Sequence, residues 1–241
     1  FSGNAGQGIM IDSGEQHTLY RNAVGTDPTG LLDLGNGEEG IYILANSGED
    51  TKRIQIGDPT DPSQANLIAF NGGDGIRIRR AGSKKAKENR IGINSIYSNG
   101  GLGIDLEDSS NNGPALPDTS TCSNNDSWGN RRLARPALTD AVLATGVLDV
   151  SGTACDWATV DVYLSDADPS GYGEPMTWLG TTTASGGGVW QLSVSGAPVS
   201  GGDWITAIQT DTGGWPESSE AGLNVQVSCD DPDTDTDGYD S

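Results

Sequence analysis

One short pattern recurs four times in the first 106 residues and limits what this chain can fold into. The pattern is N-x-x-x-G-I-x-[IL], and its copies run from Asn4 to Ile11, Asn36 to Ile43, Asn71 to Ile78 and Asn99 to Leu106. The glycines of successive copies lie 32, 35 and 28 residues apart. A repeat at this spacing is typical of a solenoid, in which each copy begins one coil.

The residues inside each copy indicate how such a coil buries its core. In Ile76-Arg77-Ile78 the isoleucines alternate with arginine, as a strand with one buried face requires. The recurring asparagines suit turns with left-handed backbone, and their amides can bond their counterparts in neighbouring coils. The alternative is a set of unrelated hairpins, but a fourfold pattern at solenoid spacing favours stacked coils.

These segments resemble a known repeat class. The stretches NGGDGIRI, NSIYSNGGLGIDL and GTDPTGLLDLGNG are similar to the right-handed parallel β-helix repeats of large bacterial surface and secreted proteins, whose fold is that of pectate lyases. The resemblance covers residues 1–108 and implies a β-helix of about four coils. It implies little about activity.

A segment without any period separates the repeats from the second half. Residues 109–136 are rich in Asn, Ser, Asp, Pro and Gly, which is typical of a linker or a cap. Because the end of a solenoid must be covered, we expect Leu116, Trp128 and Leu133 to lie across the last coil.

Residues 137–228 show longer strands at regular intervals. Seven strands in about ninety residues are typical of an immunoglobulin-like sandwich. The stretch containing PSGYGE also resembles sandwich domains attached to such β-helices. The fold class is therefore all-β, a short right-handed parallel β-helix followed by an immunoglobulin-like β-sandwich. The predicted strands are Ala137–Leu143, Val147–Thr153, Thr159–Leu164, Thr177–Thr183, Val189–Val194, Trp204–Thr210 and Leu223–Val227.

Charge is divided unevenly along the chain. Residues 1–136 hold all 13 Lys and Arg against 17 acidic residues, whereas residues 137–241 hold 17 acidic residues and no base. Such an acidic surface repels phosphate backbones and anionic lipid, which argues against nucleic acid as a partner. No apolar run is long enough for a membrane span. Together with the resemblance, these features predict a secreted or cell-surface protein of bacterial type.

Three cysteines are too few for a disulfide scaffold, and none lies in a CxxC pair. Cys122 precedes the first sandwich strand and Cys155 follows the second, so both belong to the same end of the sandwich. We therefore predict a disulfide between Cys122 and Cys155, with Cys229 apart.

The tail, residues 229–241, alternates carboxylates with small polar residues. Asp233, Asp235 and Asp237 with Gly238 fall at positions 1, 3, 5 and 6 of a calcium loop, and Asp240 is a further oxygen ligand. The tail resembles the start of a thrombospondin type 3 repeat. It predicts calcium as a cofactor, with a solvated acidic linker as the alternative.

Nothing in the sequence identifies a catalytic residue. The single histidine, His17, has no partner for a metal site or a catalytic triad. Paired carboxylates are the one enzymatic candidate, because β-helices often hold polysaccharide hydrolases and lyases with acidic catalytic groups. The candidates in neighbouring coils are Asp74, Asp105, Glu107 and Asp108.

Seven of the 13 basic residues lie within fourteen positions of an otherwise acidic chain. A docking surface for a polyanion, such as an acidic polysaccharide, is one interpretation, and solubility is the other. The seven are Arg77, Arg79, Arg80, Lys84, Lys85, Lys87 and Arg90.

We therefore expect an extracellular structural or adhesive surface protein, either a filament or sheath subunit or part of a larger surface protein. The alternative is a carbohydrate-active or polysaccharide-binding β-helix. The first rung begins close to Phe1, so its coil has little sequence to cover it. Upstream coils or end-to-end association with a neighbouring copy are both consistent with this.

Overall fold

The chain folds almost entirely into β-strands, as a computed structural model shows. The structure describes residues 1–46, 48–107, 122, 129–167 and 170–229. No α-helix occurs among them, only the two short 3-10 helices Pro62–Gln64 and Gly129–Arg132. None of the helices in these ranges could cross a membrane.

The four copies of the repeat form stacked parallel coils. Each of the first three coils has four short strands, and the fourth copy supplies the first strand of another coil. The strands are β1 (Ile9–Asp12), β2 (Gly14–Glu15), β3 (Thr18–Leu19), β4 (Ala23–Val24), β5 (Ile41–Ala45), β6 (Thr51–Lys52), β7 (Gln55–Ile56), β8 (Leu67–Ala69), β9 (Ile76–Arg80), β10 (Ala86–Lys87), β11 (Arg90–Ile91), β12 (Ser95–Tyr97) and β13 (Ile104–Glu107).

The rungs of successive coils are in direct register. Strands β1, β5, β9 and β13 form one parallel sheet, and three more parallel sheets have the orders β2-β6-β10, β3-β7-β11 and β4-β8-β12. The isoleucines of the repeat stack one above another, and those of the inner coils are fully buried. This confirms the predicted parallel β-helix.

Asparagine amides at two corners join the coils. At the first corner, Asn4 Nδ2 donates to Asn36 Oδ1 over 2.8 Å, and the same bond continues from Asn36 to Asn71 and from Asn71 to Asn99. A second ladder runs from Asn22 through Asn66 to Asn94. All these amides donate in one direction, towards the later coils.

The second half forms two sheets that pack as a sandwich, and both are antiparallel except where the last strand pairs in parallel with the first. One sheet has the order β18-β15-β14-β22, and the other has β17-β16-β19-β20 with β21 also on β19. The observed strands begin and end within two residues of the first six predicted ones. They are β14 (Ala137–Ala144), β15 (Val147–Thr153), β16 (Thr159–Ser165), β17 (Pro175–Thr183), β18 (Val189–Ser195), β19 (Trp204–Asp211), β20 (Glu217–Ser218), β21 (Val225–Gln226) and β22 (Ser228–Cys229).

The sandwich itself covers the last coil. Tyr163, Ile208 and Ala221 belong to the same buried core as the stacked isoleucines of the coils. Among the linker side chains expected to cap the coil, Leu133 packs on Cys155 and Ala158 instead, whereas Asn130 accepts from Asn89 N of the coil over 3.0 Å. The aliphatic side chain of Leu133 is buried beside the first strands of the sandwich. Leu116 and Trp128 lie outside the described residues.

Close stacking at the repeat glycines leads to a test of the fold. A Cβ atom at Gly40 would lie 2.7 Å from each of Gly75 O and Asn71 Nδ2 of the next coil and Ile68 Cγ2 of its own coil. We expect Gly40→Ala to lower the free energy of unfolding by about 1–3 kcal/mol, because the packed coils must shift to make room. Urea denaturation followed by circular dichroism measures the loss. Gly214→Ala is the control, since nothing lies within 4 Å of its Cβ position, and an equal loss in both variants would contradict this packing.

Candidate functional site

The junction between the last coil and the sandwich is built by side chains that take the place of another coil. Asn99, the last amide of the first ladder, donates from Nδ2 to Glu174 Oε1 over 2.8 Å. The carboxylate thus accepts the bond that the next asparagine of the ladder would accept. Glu174 is almost fully buried and directly precedes β17.

Backbone donors of the last coil find acceptors in one short polar segment. Glu88 N donates to Glu217 Oε2 over 3.0 Å, and Leu106 N donates to Glu220 Oε1 over 2.7 Å. Between them, Ser218 Oγ accepts from Ile91 N over 2.9 Å. A buried amide left without an acceptor costs about 1–3 kcal/mol, so this segment satisfies the otherwise open edge of the coil.

A ladder of charged side chains, here called the charge ladder, also ends in the sandwich. Arg53 contacts Glu15 of the coil before it at 3.2 Å and Glu88 of the coil after it at 3.1 Å. Arg131 then contacts Glu88 at 3.3 Å and Glu217 at 3.1 Å. Each inner charge is therefore held between two opposite charges along the axis of the stack.

Burial shapes the protonation of these junction acids. It raises the pKa of Glu217, against the opposing effects of the Glu88 amide and the positive charge of Arg131. Burial also raises the pKa of Glu220, and Arg135 opposes that shift through its charge and its hydrogen bond. The basic partners come from residues 131–135, just before the sandwich, so the junction draws its positive charge from the linker.

The outer face of the sheet formed by β1, β5, β9 and β13 holds a second cluster of charges. Arg77 on β9 contacts Glu39 at 2.5 Å and is hydrogen-bonded to Glu107 on β13. Burial alone would lower the pKa of Arg77, but its bonds to Glu107 and Glu39 outweigh this effect and raise it. Asp105 lies beside Glu107 on the same strand, with one oxygen 3.9 Å from Arg77 Nε.

Two carboxyl groups of this cluster hold protons more tightly than usual. Burial raises the pKa of Asp74 to about 6, although the Leu102 amide and Arg77 oppose the shift. The pKa of Asp105 is raised further, mainly by burial and next by the charge of Asp74. Asp105 Oδ1 and Glu39 Oε2 are buried with no hydrogen-bond partner among the described residues. This cluster places carboxyl groups with a raised pKa beside further carboxyl groups, an arrangement that acid–base chemistry uses.

The predicted basic surface is divided among several faces. Its members lie on β9, β10 and β11, which belong to three different sheets, and in the turn between β9 and β10. Arg77 binds acids of its own chain, and Lys87 Nζ lies 2.8 Å from Glu88 Oε1. Arg90 is half-buried, and burial lowers its pKa despite the nearby charges of Asp161 and Asp58. Arg79, Arg80, Lys84 and Lys85 complete the predicted set.

Asp233, Asp235, Asp237 and Asp240 lie outside the described residues, as does the candidate acid Asp108. Within the part of the chain that the structure describes, no group of three or more His, Cys, Asp or Glu side chains could hold a metal ion. Calcium binding by the tail therefore stays a prediction.

Cys122 and Cys155 form a disulfide, the pair chosen from the strand order, and Cys229 is free and exposed. A disulfide is consistent with an oxidising environment outside the cytoplasm.

Sequence reasoning did not find the junction acids Glu174, Glu217 and Glu220. The one available signal was the polar segment ESSE, which interrupts the apolar alternation between β19 and β21.

Comparisons with known proteins give little further guidance. No family model matches the chain, and no curated protein matches it. One solved structure with a weak likeness is the chitinase ChiW from Paenibacillus sp. str. FPU-7, a cell-surface-expressed multi-modular enzyme. The match has 12% identity and a TM-score of 0.20, and it covers 92% of this chain and 19% of that one. A likeness at this level supports no argument about fold or activity.

Replacing the Asp105 carboxyl group with an amide, which does not titrate, tests the raised pKa in the carboxylate cluster. A pKa raised above the ordinary value of 3.8 favours folding at low pH, and that advantage is lost as pH rises towards the folded-state pKa. We therefore expect Asp105→Asn to gain stability relative to the unsubstituted chain between pH 4 and about 8.

Urea denaturation at several pH values provides the measurement. Asp12→Asn is the matched control, because Asp12 is an exposed carboxylate on the first strand of the same sheet. A stability difference for Asp105→Asn that stays constant with pH would show that the group is ionised throughout this range.

Proposed function

We propose that this chain is a rigid structural segment of an extracellular surface protein, in which the β-helix and the sandwich act as one body. This proposal rests on two ladders that continue into the sandwich. The first asparagine ladder ends at Glu174, and the charge ladder ends at Glu217. A shared hydrophobic core and satisfied backbone groups oppose bending at such a junction. The disulfide suits an extracellular location.

An adhesive or filament role extends the same proposal. The sandwich half carries no basic residue, so its exposed acids favour contact with cationic surfaces or with ions. Docking of a polyanion to the basic residues is the less favoured route, because Arg77 and Lys87 already bind acids of the same chain. Calcium bound by the tail would reduce the repulsion between acidic neighbours.

Mechanical unfolding tests whether the two parts act as one body. We expect a single event when the chain is pulled between its N-terminus and the exposed thiol of Cys229. In Glu217→Ala the event should split in two, because Glu88 N and Arg131 lose their acceptor. Glu217→Gln is the control, since its amide oxygen can still accept from Glu88 N.

Two separate events in the unsubstituted chain would contradict the single rigid body. Antibodies against the chain should also label intact cells of its source, and labelling only after lysis would contradict a surface location.

The carboxylate cluster favours a second candidate, a carbohydrate-active protein. Asp105, whose pKa is raised by burial, lies beside Glu107 on β13, and such a pair of carboxyl groups resembles the acid and base of a glycosidase or lyase. Incubation with a panel of plant and bacterial polysaccharides, followed by product analysis, tests it. This candidate predicts turnover that Asp105→Asn removes and Asp12→Asn retains, and no turnover on any polysaccharide would leave the structural role.

A further inference from the structure

The first coil presents a free face at the end opposite the sandwich. Strands β1 to β4 are each the edge strand of their sheet, with a coil on one side only. The face encloses a shallow cavity of about 420 Å³. The residues that line it are Ile9, Met10, Ile11, Asp12, Ser13, His17, Thr18 and Leu19.

The core columns of the β-helix reach this face, and none of the described residues covers them there. Ile9 and Ile11 are in register with Ile41 and Ile43, which are fully buried, yet the first two remain partly exposed. Leu19 likewise continues the buried column of β7 and β11. Natural proteins cover such edges, because unpaired backbone and apolar side chains recruit further strands.

Both asparagine ladders also stop at this face with an unused acceptor. Each later amide oxygen in the ladders accepts a bond from the coil before it, as Asn36 Oδ1 does from Asn4 Nδ2. No donor among the described residues reaches Asn4 Oδ1 or Asn22 Oδ1. The group that would complete each ladder is therefore an amide donor, placed one coil above.

Phe1 shows how such a coil would be oriented. Phe1 N donates to Ala23 O over 2.8 Å, and Gly25 N donates to Phe1 O over 2.9 Å. These two bonds enclose Val24 as a parallel strand partner encloses it, on the side opposite β8.

Phe1 is equivalent to Ile68, since each lies three residues before an asparagine of the first ladder. The asparagine of the following coil donates to each of them over 3.1 Å, Asn36 to Phe1 O and Asn99 to Ile68 O. Phe1 therefore occupies the last strand position of an additional coil.

We propose that the free face binds a further parallel coil of the same N-x-x-x-G-I-x-[IL] repeat, joined to the chain at Phe1. Its ladder asparagine would donate to Asn4 Oδ1, and its aliphatic rung would cover Ile9 and Ile11. A second copy of the chain, packed through the same face, fits less well. The Asn4 Oδ1 atoms of the two copies would then face each other, and both are hydrogen-bond acceptors. The bonds of Phe1 already fix the parallel direction and the register.

An added coil tests this proposal. A copy of residues 36–67 is joined directly to Phe1, so that Phe1 takes the place of Ile68. The amides of Met10 and Asp12 alternate with those bonded to β5 and point to the free face. We expect their hydrogen exchange to slow by at least about tenfold in the extended chain, because they gain carbonyl partners. A control carries the same copy with Gly40→Val and Asn36→Leu in the copy alone, and should give no protection.

Two results would overturn the proposal. One is unchanged exchange of Met10 and Asp12 when the intact copy is present. The other is protection of the same amides in the chain without the copy that increases with protein concentration, together with a larger sedimenting mass. That second result would assign the face to another copy of the chain.

Discussion

Parallel stacking of coils is the interaction on which the rest of this structure depends. Each short strand has only two to five residues and gains its stability from a strand above and a strand below. The hydrogen bonds, the stacked isoleucines and the asparagine ladders all run along the same axis. Inner coils of such a stack have partners on both sides. At its two ends, backbone groups and apolar columns lose their partners.

At one end of the stack, the sandwich supplies these missing partners. Its carboxylates and hydroxyl groups accept the bonds that the backbone and the amides of another coil would accept, and its apolar side chains continue the core. The acidic residues that do this are buried, so the strong negative charge of the second half is not only a surface property. Burial raises the pKa values of two of these acids, Glu217 and Glu220, and the positive charges of Arg131 and Arg135 oppose that rise.

The β-helix and most sandwich strands could be predicted from local patterns, because alternation and repeat spacing are properties of neighbouring residues. The disulfide between Cys122 and Cys155 followed from strand order alone. The junction could not be predicted this way, since Glu217 meets Glu88 across 129 positions and looks like any surface acid in the sequence. The way in which the basic residues are distributed over the fold could not be predicted for a related reason. Residues adjacent in sequence turn corners of the coil and reach different sheets, where several already bind acids.

Amide hydrogen exchange at the junction tests most directly whether the sandwich serves as the last coil. Within the described part of the chain, the amides of Glu88, Ile91 and Leu106 bond to sandwich side chains, whereas that of Ile54 bonds to Asn89 within the β-helix. We expect the same free energy of opening for all four amides, because one cooperative unit must unfold to expose them. If the three junction amides exchange as fast as exposed loops while Ile54 stays protected, the sandwich does not serve as the last coil.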